Sequence, residues 1–176
     1  MPDIRDRVEE DRGILKKIQT YIPGFRGYRR REDIRDADRM LRAQLADKLG
    51  VQRRGLEECR AILAQNIAPK ELELVGGLIS QFKKVEGQVA HAETGYSGIA
   101  ADIQIKEEEL DRLYEYDASM LDHVASIATS VDSLKGSLMA ADEANTFKEL
   151  MNIKARITAF EDTFKRRIRV IEGTEV

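Results

Sequence analysis

The chain is poor in several things at once. It has one cysteine, Cys59, no tryptophan, three prolines and two histidines in 176 residues. A single cysteine excludes an intrachain disulfide framework and points to a reducing compartment. Aromatic residues make up only 6%. No apolar run approaches the length of a transmembrane helix, and the charged start, MPDIRDRVEEDR, holds no secretory apolar core. The expected location is therefore cytoplasmic. Few prolines leave long stretches without a helix breaker.

Charge and apolar residues are abundant instead, at 35% and 42%. That mixture, with its regular apolar spacing, is the composition of long amphipathic helices, not of a disordered chain. The net charge of -3 excludes a global basic field for nucleic acid. It is unevenly divided: residues 1–60 carry 16 Lys/Arg against 12 Asp/Glu, and residues 61–176 carry 13 against 20.

The spacing predicts an all-α fold: a helical bundle with a long antiparallel coiled-coil-like hairpin in the C-terminal half. Residues 1–93 read as about four helices. The first covers 3–22 and stops at Pro23-Gly24. The second covers 30–49, with Asp38–Arg42 as an i,i+4 pair on its outer face and Gly50 ending it. The third covers 52–65, with Cys59 on the stripe of Leu56 and Leu63. The fourth starts at Pro69. Residues 94–105 form a glycine-containing linker and an extended segment.

Residues 106–173 form the hairpin. In its first arm Leu110, Asp117, Val124, Val131 and Leu138 fall at heptad position a, and Leu113, Met120, Ile127, Leu134 and Ala141 at d. In its second arm Leu150, Ile157, Phe164 and Ile171 fall at a, and Phe147, Ile153 and Phe160 at d. A turn is expected near 140–145, capped by Asp142 or Asn145. Leu121, Ala128 and Ile168 widen the apolar stripe beyond a two-helix seam, so the hairpin needs further helices or another subunit to cover it.

Two constellations carry a possible function. In Tyr21–Arg31, the arginines Arg26, Arg29, Arg30 and Arg31 stand with Phe25 and Tyr28 at a helix start, where free backbone N–H groups favour anions. Read functionally, this is a site for nucleic-acid phosphate, an anionic membrane or an acidic partner. Read structurally, the two aromatics plug the bundle end. The second constellation is Tyr114 with Asp117. It is either a polar notch for a partner or a register device, in which Asp117 meets a tyrosine hydroxyl or an arginine of the other arm. The run Lys165–Arg169 is expected on a solvated face through Glu161–Lys165 and Asp162–Arg166 pairs.

IPGFRGYRRREDIRDADRMLR and TGYSGIAADIQIKEEELDRLYEYD resemble segments of prokaryotic helical proteins with no assigned activity. The resemblance spans most of the chain and implies a helical fold and a bacterial or archaeal source. It brings no site residue with it. Catalytic and metal signatures are not found. The residues three before His91 and His123 are Gln88 and Met120, so the Glu-x-x-His pattern of di-iron bundles is missing, and no cofactor is expected. The sequence therefore favours a non-enzymatic interaction or assembly protein, scaffold or adaptor, whose partner is another protein or a second copy, a dimer first. An anion-binding module is the alternative.

Overall fold

The computed structural model describes residues 4–25, 27, 31–66, 68–92 and 107–172. The described residues form an all-helical bundle of five helices: α1 (Ile4–Tyr21), α2 (Arg31–Gln65), α3 (Pro69–His91), α4 (Glu107–Met139) and α5 (Glu143–Glu172). The segment expected to be extended, 94–105, lies outside the described residues, as do Arg26 and Tyr28–Arg30.

Residues 30–65 were expected as two helices and form one. Gly50 continues α2 because it is a packing position, not a stop. A Cβ there would lie 3.0 Å from Glu86 Oε1 of α3. The nearby Arg53 joins the two helices by donating from Nε to Glu86 Oε2 at 2.8 Å. Leu41, Leu45, Leu49, Leu56, Cys59 and Leu63 form the buried stripe of α2.

The α4–α5 turn is built from local hydrogen bonds. Ala141 adopts φ 54°, its N–H reaches Leu138 O at 3.3 Å, and the Asp142 N–H reaches Ser137 O at 2.9 Å. These are the two bonds of a Schellman motif. Asp142 then caps α5, accepting the Asn145 N–H on Oδ1 at 3.0 Å. The hairpin seam follows the heptads through Leu113, Met120, Val124, Ile127, Val131, Leu134 and Leu138, all buried against Leu150, Ile153, Ile157, Phe160 and Phe164. Phe147 departs from expectation and is 52% exposed, while Thr146 is buried. Seven-residue steps back from Phe160 and Ile153 land on Thr146, so Phe147 is turned about 100° away from the seam.

The hairpins α2–α3 and α4–α5 lie side by side in the same sense. Gln81 meets Thr158 and Lys84 meets Glu161, so α3 and α5 are parallel. Lys135 meets Glu58, and α2 and α4 are parallel likewise. In all three pairs the partners are 77 residues apart. α1 packs on α4, tied by Lys17–Asp122 at 2.6 Å. The core runs through all five helices, and Leu121 is buried by the chain's own helices.

Candidate functional site

Gly27, from the first constellation, lies against Tyr114 of the second. The turn after α1 uses Gly24 and Gly27 at φ +88° and +85°, a region that favours glycine. Phe25 is buried, 1% exposed, and its carbonyl accepts the Gln19 amide at 2.9 Å. A Cβ on Gly27 would stand 2.5 Å from Tyr114 Oη. The side chains of Arg26 and Tyr28–Arg31 are outside the described residues.

One turn beyond Tyr114, Asp117 is fully buried and accepts from Arg167 Nε at 2.5 Å. The Nη1 of Arg167 donates to Asp38 Oδ1 at 2.6 Å. The second oxygen of Asp38 takes Arg42 Nε at 2.9 Å. Arg42 Nη1 in turn donates to the carbonyls of Ala92, at 2.7 Å, and Val89, at 3.4 Å. Two carboxylates and two guanidinium groups from α2, α4 and α5 are thus joined in a network that also caps the C-terminus of α3, where cationic donors satisfy the last carbonyls. Its members are sealed: Arg167, Asp117 and Asp38 are 1%, 0% and 2% exposed. These three groups are buried and bonded to one another. The network's chemistry is to fix which residues of the two hairpins face each other.

Two expectations change here. Asp38–Arg42 is an i,i+4 pair, but it faces inward. Arg167 belongs to the core and not to a solvated face. Phe160 is at d, so position 167 is the next d, opposite the polar a position Asp117; the heptad itself carried that signal.

Among the exposed large apolar residues, which also include Met40, Val51 and Met139, two lie together between α3 and α5. A groove of about 590 Å³ is lined by Leu74, Gly77, Leu78, Phe147 and Met151, with Lys70, Glu73, Gln81 and Lys154 around it. Phe147 and Met151 are 52% and 42% exposed. Further along the same pair of helices a second hollow of about 450 Å³ is lined by Gly87, Gln88, His91, Ala92, Phe164, Lys165 and Ile168. Glu161 sits between the two and binds both Lys84, at 2.7 Å, and Lys165, at 3.3 Å. The bond from Lys84, then that from Lys165, holds its carboxyl below the usual range against the opposing effect of burial. The cross-seam bond Gln81–Thr158, at 3.3 Å, also lies here. Heptad spacing places Phe147 in the seam, so the sequence carries no sign of Phe147 and Met151 as exposed residues.

Other reactive groups are muted. Burial pushes the Cys59 thiol up to about 11, so it behaves as a small apolar residue. His123 is shifted below its ordinary value by burial first and by Arg156 second. Ser119 Oγ lies 3.4 Å from its Nε2. Among the described residues no group of three or more His, Cys, Asp or Glu could hold a metal ion, and no helix is long and apolar enough to cross a membrane. Comparison with protein-family models, with curated proteins and with solved structures returns no match.

Proposed function

We propose that this chain is a non-enzymatic helical interaction protein, an adaptor or scaffold that presents the α3–α5 groove to another polypeptide. The observation that carries the reading is the pair Phe147 and Met151, two large apolar side chains 52% and 42% exposed on the wall of a groove floored by Leu74 and Leu78. Full burial of such a side chain gains about 1.5–3 kcal/mol, of which roughly half is left to gain at these half-buried positions. A contiguous exposed apolar site rimmed by polar residues is the usual mark of an interaction surface. The polar cluster of Asp38, Asp117 and Arg167 is buried, which further supports a structural role for it.

The test is site-specific photo-crosslinking in living cells, with the crosslinker placed in turn at positions 147, 151 and, as an exposed control on α4, 129. Defined adducts at 147 and 151 but not at 129 are expected. Equal labelling at all three positions, or no adduct at the groove, would remove the reading.

A further inference from the structure

We infer that the occupant of the α3–α5 groove is an acidic amphipathic helix of a different protein; this rests on the interaction reading above. Three observations carry it.

The first is the shape. The groove and the second hollow follow one another along α3 from Lys70 to His91. At ~1.5 Å per residue the two hollows together span roughly 30 Å, an interrupted trough with the Gln81–Thr158 and Lys84–Glu161 contacts crossing the seam between them. The span matches a helix of five or six turns that sets anchors at i, i+3/i+4 and i+7 into the two. Strand addition needs a sheet edge, and among the described residues there is no strand.

The second is glycine usage. Gly77 and Gly87 line the trough, and Gly76 adjoins it. A Cβ on any of the three would meet nothing within 4 Å. Their backbone is ordinary right-handed helix, so among the described residues neither conformation nor packing calls for glycine there, although glycine weakens a helix interior; Gly13 and Gly136, on α1 and α4, are open in the same way. Removing side chains from the wall of a trough leaves room for the backbone of an incoming helix.

The third is charge. Lys70, Lys84, Lys154 and Lys165 border the trough against Glu73 and Glu161, a basic rim on a chain whose net charge is -3. One carboxylate, Glu161, is shared by two ammonium groups, which leaves positive charge over. A symmetric pair of copies joined through this trough would set one basic rim against another, a costly arrangement. An acidic partner helix meets the rim with opposite charge.

The experiment uses the full chain and two fluorescent designed 21-residue helices. Both carry Leu at i, i+3/i+4 and i+7. One fills its flanks with Glu, the other with Lys. Binding is followed by anisotropy, and the oligomeric state of the free chain by sedimentation velocity. The Glu helix is expected to bind at least tenfold more tightly than the Lys helix, and more weakly as salt rises. Phe147→Ser with Met151→Ser should lower its affinity tenfold or more. So should Gly77→Leu, which fills the trough and, by circular dichroism, should leave helicity intact. Groove-dependent binding of the Lys helix, equal or tighter, would overturn the acidic partner and leave the interaction reading standing. A dimer of the free chain that Gly77→Leu dissolves would also overturn it, in favour of a second copy. Binding untouched by any of these substitutions, or no binding of either helix, would overturn it as well; the crosslinking result then decides separately whether the groove is used at all.

Discussion

The two hairpins touch along two seams, and the seams are finished differently. Along α2–α4 the packing is closed. Gly55 is backed against Val131, where a Cβ would stand 2.8 Å from Cγ1, Lys135 pairs with Glu58 at 2.6 Å, and Arg167 bridges Asp38 and Asp117 at one end. Along α3–α5 the glycines face empty space, two large apolar residues stay exposed, and one shared carboxylate spans the gap. The same residue type therefore means opposite things. Gly55 permits an approach that has been used, and Gly77 permits one that this chain leaves unused. The difference separates a seam that holds the bundle together from a surface offered outward.

Substitutions can break or sharpen this contrast. The largest effect is expected at Arg167. Arg167→Met leaves Asp38 and Asp117 buried without their shared cation and should cost ~3–5 kcal/mol in urea unfolding. Replacing Asp38, Asp117 and Arg167 together with apolar residues of similar volume should recover most of that loss. If Arg167→Met alone costs under ~1 kcal/mol, the closed seam does not depend on the cluster in the way described. Gly55→Ala should come next, at about 1–3 kcal/mol of destabilisation, because the stiff Val131 side chain must move. Gly77→Ala and Gly87→Ala should have the opposite sign, each raising stability by up to ~1 kcal/mol, which a thermal melt will detect as a higher Tm. A loss there would place the open seam in the same class as the closed one.

The smallest expected effect is on acid titration of the open seam. Lys84 and Lys165 hold the Glu161 carboxyl below its ordinary 4.5. The unfolded chain therefore binds that proton more readily than the folded one. The contribution is fully present above about pH 4.5 and is lost as pH falls through the lowered value. Glu161→Gln should flatten that part of the stability–pH curve and leave the rest unchanged.

The contrast also explains what could be read from the sequence. Apolar residues at three- and four-residue steps, such as Leu41, Leu45 and Leu49 or Ile153, Ile157 and Phe160, betray buried stripes directly, because burial repeats with the helix. The α5 start was legible too, since Asp142 is a residue type that caps. Partners across the bundle were not. Gly50 reads as a stop unless Glu86 is known to lie against it. Arg167 reads as one more surface charge unless Asp38, 129 residues away, is brought beside it. Phe147 reads as core because hydrophobicity states only that a side chain would gain from burial, not whether this chain supplies the cover. The Tyr114–Asp117 neighbourhood could be named from its polar a position. Its connection to the turn after α1 came only from packing.

That connection has a consequence for how the chain tolerates change. At position 27 a single added carbon would overlap the Tyr114 hydroxyl, and the backbone lies where L-residues are strained. The turn that begins the arginine cluster is thus keyed to one atom of α4. Any substitution at position 27 must push the Tyr114 hydroxyl aside and strain the backbone at the same time.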